Sequence, residues 1–429
     1  MKSLFNKITA FYRTIKSKIA FYPTFFALSG LLFALLMMYL ERSGISDYLV
    51  EHAPLLVVNS GDTALTILSA CITGLISMMV FSFSMVMVLL NQAASDYSPR
   101  LLPGLISDHR HQIILGIYIS SILYCIFILF SIQPTGDKYQ VPGFSVLLGI
   151  LLTVISIYAF IYFIHNISET IQITNILEKI FLNAQKRLSF LLEQEKSMPR
   201  NFPVSDDWFE YRSKKSGYFQ DFSRNDLLLF CKKNKTFLEV LPVKGTFVLK
   251  GLPVFRSKEK LSDEAVNGLL SNFHLSRKEL VTSNYVLAFK QITEVIVKAM
   301  SPGINDPGTA LNSIDYLSEL IRLRMLKSDE SFISDSGQDY VRVRSVTFEE
   351  LLYQINASLR KYCSDDIVVV QKLAYMFLAL KVQVAFDPFY HQVLKKEAEI
   401  LLTEARTNLR NEADLDTLDI LAKKLDLQG

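Results

Sequence analysis

Residues 64–90 read ALTILSACITGLISMMVFSFSMVMVLL, a single uncharged run of mainly apolar side chains. A hydrocarbon core of about 30 Å is crossed by roughly 20 apolar residues in helical form. The run is longer than that, which predicts a membrane-spanning helix that tilts or projects. Three further segments meet the same criterion: residues 20–40, 113–132 and 141–164. The first is not expected to be a signal peptide, because it lacks a small-residue cleavage site and leads directly into Glu41 and Arg42.

The charges divide the chain in the same way. Residues 1–165 hold 9 Lys/Arg and 7 Asp/Glu, out of 45 and 42 in the 429-residue chain. A charge-poor first part and a charge-rich remainder predict a membrane portion followed by a water-soluble portion. The hydrophobic content of 50% excludes a disordered chain, and 17 Gly with 13 Pro exclude collagen-like and low-complexity classes. A net charge of +3 from balanced acids and bases gives no support to nucleic-acid binding. Cys71, Cys125, Cys231 and Cys363 have no CxxC spacing, so structural thiols are expected rather than disulfides or a metal site.

Loop charges predict the orientation. Lys2, Lys7, Arg13, Lys16 and Lys18 precede the first span without an acid. The second loop carries Arg100 and Arg110, whereas the first and third loops hold one cation each, Arg42 and Lys138. The positive-inside rule then places both termini in the cytoplasm. Within residues 1–19, Leu4, Phe5, Ile8, Phe11, Tyr12 and Ile15 recur at helical spacing between basic residues, which suggests an interfacial helix; a short cytosolic extension is the alternative.

In the second span Thr66, Ser69, Thr73, Ser77, Ser84 and Asn91 follow at steps of 3, 4, 4, 7 and 7. At about 100° per residue they fall on one narrow face. Small hydroxyl residues allow close helix packing. The same face would also suit the wall of a water-filled pore made by symmetric copies. No ionisable residue lies within a span, which argues against a proton relay or a charge-coupled carrier. Beyond this face, Pro99 predicts a bend or restart of the helix. Arg100, His109, Arg110 and His111 gather at the cytoplasmic mouth, either to anchor on anionic headgroups or to form a vestibule that concentrates anions.

Residues 165–196 contain neither Gly nor Pro, and their apolar spacing predicts that the fourth span continues unbroken into a cytosolic amphipathic helix. After a linker formed by Pro199, Pro203 and the polar run between them, residues 201–257 suggest a compact β module. Its strands are expected at 217–220 and 236–241, with a short helix at 225–232 between them and tight turns at Gly245 and Gly251. The glycine spacing resembles the small β-sandwich of biotinyl and lipoyl carriers, but the carrier lysine hairpin is absent. Residues 258–429 are helical in pattern. There Met300-Ser301-Pro302-Gly303-Ile304-Asn305-Asp306-Pro307-Gly308-Thr309 reads as a corner: one helix ends near Gly303, Asn305 or Asp306 caps the next, and Pro307 opens it. A helix N-terminus also attracts anions, so Asn305, Asp306 and Thr309 are candidate ligand-binding residues. No catalytic triad, Walker loop, dinucleotide fingerprint or HExxH is found, so no enzyme, cofactor or metal is expected.

Two stretches carry a family resemblance: Ser98-Pro99-Arg100-Leu101-Leu102 after the long second span, and Ser301-Pro302-Gly303-Ile304-Asn305-Asp306-Pro307 between two helices. Together with Gln112, Leu115-Gly116, Tyr124 and the Gly245/Gly251 module, the chain resembles domain-of-unknown-function family 2254, bacterial predicted integral membrane proteins. The resemblance runs from about residue 21 to 420. It implies several membrane spans followed by a cytoplasmic domain, in a bacterial inner membrane, and no established reaction. Residues 285–291 depart from the family pattern, which carries a Phe-Gly and an Arg-Gln pair in the helix before the second signature. The expected fold class is therefore a membrane α-helical bundle of four spans followed by a cytosolic α+β domain, with a small β-sandwich-like module and a helical subdomain. The leading functional expectation is a homo-oligomeric channel or passive pore lined by the second span and gated by the cytosolic domain. The alternative is a non-conducting sensor or scaffold whose cytosolic domain binds a small anionic ligand or a protein partner.

Overall fold

The structure is a computed structural model that describes residues 21–43, 45–46, 58, 60–96, 109–135, 138–140, 142–170, 172–195, 202–277 and 284–426. The expected interfacial helix at 1–19, residues 199–201 of the expected linker and the first signature, Arg100 included, lie outside the described residues. The chain divides into two units, the boundary after the fourth span falling between Gln172 and Ile173.

The first unit holds α1 (Phe21–Arg42), α2 (Gly61–Asp96), α3 (His109–Ser131), the hairpin strands β1 (Gln133–Thr135) and β2 (Lys138–Gln140), and α4 (Gly143–Thr170). The four helices are long and apolar enough to cross a membrane. With 36 residues, α2 extends about 54 Å at the helical rise. Leu68, Leu75, Tyr124, Cys125, Ile128 and Val146 share one buried core. The closest approach is between α1 and α3. A Cβ on Gly30 would stand 2.6 Å from the Ser120 carbonyl oxygen, and one on Gly116 would stand 2.8 Å from Phe26 Cδ2. Small residues at such crossings let dispersion act between helices where lipid offers no hydrophobic drive.

Several polar groups in this unit are paired with one another, while Ser82 Oγ, Gln112 Oε1 and the Tyr118 hydroxyl are buried without a hydrogen bond of regular geometry. Glu41 Oε1 accepts from Ser145 N at 2.8 Å and from Ser145 Oγ at 2.7 Å, while Glu41 Oε2 accepts from Ser46 Oγ at 2.6 Å. The carboxylate thus sits at the N-terminus of α4, where it complements the helix dipole. Tyr124 donates to the Ser145 carbonyl at 3.0 Å, and the Ser121 and Ser156 hydroxyls meet at 3.2 Å.

One expectation is corrected at the boundary. The fourth span does not run on unbroken: α4 ends at Thr170 and α5 (Ile173–Glu195) begins afresh. Gln172 N bonds back only three residues, to the Glu169 carbonyl at 3.3 Å. The absence of Gly and Pro hid the break. The sequence there is rich in β-branched residues, which have low helix propensity.

The second unit continues with β3 (Phe209–Arg212), β4 (Gly217–Phe222), α6 (Arg224–Asn234), β5 (Leu238–Val240), β6 (Phe247–Val248), β7 (Pro253–Ser257), α7 (Asp263–Ser271) and β8 (Phe273–Ser276). Then follow α8 (Tyr285–Ala299), α9 (Pro307–Met325), β9 (Glu330–Asp335), β10 (Gln338–Arg344), α10 (Phe348–Cys363), α11 (Ile367–Lys381), α12 (Phe389–Asn408) and α13 (Glu412–Lys424). A five-stranded sheet has the order β3-β7-β5-β10-β9, and a three-stranded sheet has the order β6-β4-β8. Only the β5–β10 pairing is parallel, with Val341 opposite Leu238. Phe219, Phe222, Val240, Phe255, Phe273 and Val341 belong to one apolar core.

The expected turns form where the glycines stand, with Gly245 at φ +86° and Gly251 at φ +91°. The module is nevertheless not confined to 201–257, because β8, β9 and β10 come from the stretch read as helical. The β9–β10 hairpin turns through Ser336 at φ +51° and Gly337 at φ +83°, a two-residue turn whose twist matches paired strands. Around the sheets, α5 packs on α8 and α9, and α9 buries Ile314, Leu317, Leu320 and Ile321.

The α1–α3 crossing gives a test. Gly30→Ala is expected to lower the thermal stability of the detergent-solubilised protein by about 1–3 kcal/mol through overpacking against Ser120. Gly74→Ala, where a Cβ meets nothing within 4 Å, should not lower it. Equal melting temperatures for Gly30→Ala and the unchanged protein would contradict this packing.

Candidate functional site

The orientation of α2 follows from its buried residues. Ala64, Leu68, Leu75 and Ser82 are fully buried. At about 100° per residue their mean direction is opposite to that of the hydroxyl row. Thr66, Ser69, Thr73, Ser77, Ser84 and Asn91 are all exposed, so the row faces away from the other spans of its own unit. Packing within this bundle therefore does not account for it. Thr66 donates to the Asp62 carbonyl at 2.8 Å, Thr73 to Ser69 at 2.9 Å and Ser77 to Thr73 at 2.9 Å. Each of these three hydroxyls spends its proton on the helix and leaves oxygen lone pairs outward.

The proposed mouth is split by the start of α3. His109 and Arg110 are exposed, with the His109 ring 5.3 Å from that of Tyr22. Arg110 Nη1 donates to Asn166 Oδ1 at 2.9 Å, and Asn166 Nδ2 lies 3.1 Å from His111 Nε2. His111 itself is buried, edge-on to Phe163 at 5.6 Å. His111 thus braces α3 against α4 and does not line an open vestibule.

The 305–309 corner is a helix cap. Asp306 is the N-cap of α9, its carboxylate accepting from Thr309 N at 3.0 Å, with Pro307 in the first turn. Asn305 takes φ +48°, the left-handed turn that redirects the chain from α8. Asn305, Asp306 and Thr309 are brought together, but Asp306 already occupies the position an anion would take. The Thr309 hydrogen bonds, and a further one from Gly308 N, hold the Asp306 carboxyl below the usual aspartate range.

A charged cavity of about 400 Å³ in the second unit was not anticipated. Its wall combines α5, α6, β9, β10, the 243–244 loop and the N-terminus of α8, over residues 187–346. Lys327 is buried there, and its three donors reach Glu195 Oε1 at 2.7 Å, the Ser328 carbonyl at 2.7 Å and Ser331 Oγ at 3.0 Å. Burial pulls the Lys327 ammonium below its ordinary value, against the attraction of Glu195. Next to it the fully buried Arg324 bonds Asp329, the Lys327 carbonyl at 2.9 Å and the Val346 carbonyl at 3.0 Å. No motif joins residues so far apart in sequence. α5 carries Arg187 beside Lys186, and nothing in that local pattern marks a site.

With this geometry in place, the comparisons can be set beside it. The family described as "Predicted membrane protein (DUF2254)" matches residues 16–379. The chain belongs to this family. Members similar to it include uncharacterized proteins of two Mycobacterium tuberculosis strains and of Mycobacterium bovis, each 23% identical over 345 residues. The match covers 77% of this chain and 66% of each relative. No solved structure matches. This DUF2254 member therefore carries four candidate spans and a mixed helical and sheet unit.

The cap makes a pH-dependent prediction. Asp306→Ala should lower stability by about 1 kcal/mol at neutral pH. Because the native carboxyl titrates below its unfolded value, this contribution is fully present above the ordinary aspartate range and is lost as pH falls through the native value. Chemical unfolding from pH 7 downward should show the two proteins converge; a gap that persists or widens in acid would refute the cap.

Proposed function

We propose that this DUF2254 protein assembles as a homo-oligomer in the bacterial inner membrane, with both termini cytoplasmic, and forms a passive ion-conducting pore lined by α2. The observation that supports this reading is the exposed hydroxyl row on the side of α2 opposite its packing face. Copies arranged about an axis would turn that row onto water. Outward lone pairs on hydroxyls already bonded to their own helix exchange readily with water and with a hydrated ion. The second unit gates the pore through the joint at 171–172.

A second reading, a non-conducting sensor or scaffold that binds a small anionic ligand, draws support from the charged cavity. The two readings separate on flux. Purified protein in liposomes should pass ions, and Ser77→Phe and Ser84→Phe should each change the conductance severalfold. Flux that is unaltered in both variants removes α2 from the pore wall, and an absence of flux favours the sensor.

A further inference from the structure

The cavity in the second unit has the volume of a small-molecule site. Its wall is divided by chemistry. Phe222, Val243 and Phe332 contribute apolar surface. Basic side chains reach it from separate elements, Arg187 on α5, Arg224 on α6, Lys244 on the loop after β5 and Arg344 on β10, and the carboxylates of its wall are engaged, Glu195 by Lys327, Glu330 by Arg342 and Asp339 by the Ser334 hydroxyl.

Among the described residues neither Arg187 nor Arg224 forms an ion pair. Arg224 donates to the uncharged amide oxygen of Gln194 at 3.0 Å, and the Arg187 guanidinium lies 5.3 Å from the centroid of the Phe190 ring. Partial removal from water, then the like charge of Arg187, hold the Arg224 guanidinium below its ordinary value. Asp221 acts on both arginines from a distance, but its carboxylate is engaged by Lys244 at 2.6 Å. Lys327 does not compete for an incoming group, since its three donors are already used. Tyr285, only 7% exposed, borders the cavity, and its hydroxyl lies against the buried Arg324. Tyr285 also opens the 15-residue helix α8, whose N-terminal dipole adds positive potential at the wall.

We propose that this cavity binds a small molecule bearing a phosphomonoester on an apolar or aromatic body, with the phosphate between Arg187 and Arg224 and the body against Phe222, Val243 and Phe332. Two neighbouring guanidiniums present parallel N–H pairs, and a phosphomonoester supplies three acceptor oxygens and a charge near −2 to match both. A monocarboxylate would neutralise one and leave the other. The proposal rests on the ligand-binding half of the second reading above and does not depend on conduction. A nucleoside monophosphate and a phosphatidic acid headgroup share this chemistry.

Calorimetry on the full-length protein in detergent tests it. The probes are adenosine monophosphate and dihexanoyl phosphatidic acid, with adenosine and inorganic phosphate as their separate parts. At least one phosphomonoester should bind about tenfold more tightly than inorganic phosphate and than its own unphosphorylated body. Saturation by the nucleotide alone assigns a soluble ligand; saturation by the lipid alone assigns a headgroup. Arg187→Gln and Arg224→Gln should each weaken binding by about tenfold or more, the value of a charge-assisted hydrogen bond, without lowering the melting temperature. Lys244→Gln provides a third variant should either of these fail to fold. Absence of binding by both phosphomonoesters, binding of adenosine equal to that of its monophosphate, or binding unchanged in the folded variants would overturn the proposal. Ion flux from the same preparation keeps the two readings apart. Binding without flux discards the pore and retains the cavity, and flux without binding does the reverse.

Discussion

Hydrocarbon offers no hydrogen-bond partner, and the first unit is arranged around that constraint. Its backbone is helical through the candidate spans, so the peptide groups are satisfied within each helix. Several side-chain polar groups follow the same accounting. Glu41 lies at the end of α1, where its two oxygens accept from Ser145 and Ser46 at the start of α4. Ser121 meets Ser156, and hydroxyls on α2 return their protons to carbonyls four residues back. A hydroxyl so bonded tolerates lipid, a second copy or water. The row on α2 is therefore a surface without a partner in its own bundle, and its use is decided by what the protein assembles with.

Burial imposes a harder version of the same problem in the second unit, where whole charges are enclosed. Arg324 is fully buried, yet it bonds Asp329 and two carbonyls and lies 5.9 Å from the ring centroids of both Phe348 and Tyr390. Lys327 is enclosed with Glu195, the last residue of α5. Breaking such a pair strands its partner, a loss of about 3–5 kcal/mol, whereas the intact pair adds little net stability. The two pairs thus fix geometry more than they raise stability. They pin the turn between α9 and β9 to the end of α5 and so set one wall of the cavity. The Arg360–Glu397 contact at 2.9 Å, with Asn356 bonded to the same carboxylate, locks α10 to α12 in the same manner.

Much of this was legible in the sequence, for reasons that differ by element. The spans declared themselves because twenty apolar residues in succession have few other uses. The 305–309 corner was readable because Asp before Pro at a helix start is chemically local, involving atoms three residues apart. What was missed depends on distant pairing. The strand β10 holds Val341 and Val343 in alternation, but its place in the sheet comes from β5, about a hundred residues earlier. Ser336-Gly337 was a hairpin signal that the neighbouring helical periodicity masked. The end of α4 at Thr170 was hidden because no Gly or Pro marks it. The cavity was invisible because its cations arrive singly from separate elements.

The joint and the cavity meet in one element. α5 starts at Ile173, immediately after the fourth span, and ends at Glu195 in the cavity wall, about 35 Å away along the helix. Arg187, fifteen residues into α5, is where a bound anion would hold the helix, and the Lys327–Glu195 pair holds its end. A ligand at Arg187 shifts the position of α5 within its unit only as far as it binds two such positions unequally. The relevant free energy is thus the difference in phosphate affinity between those positions, and the Arg187–Arg224 pair is where that difference would arise, because a dianion relieves a like-charge repulsion that Asp221, already engaged by Lys244, offsets only in part.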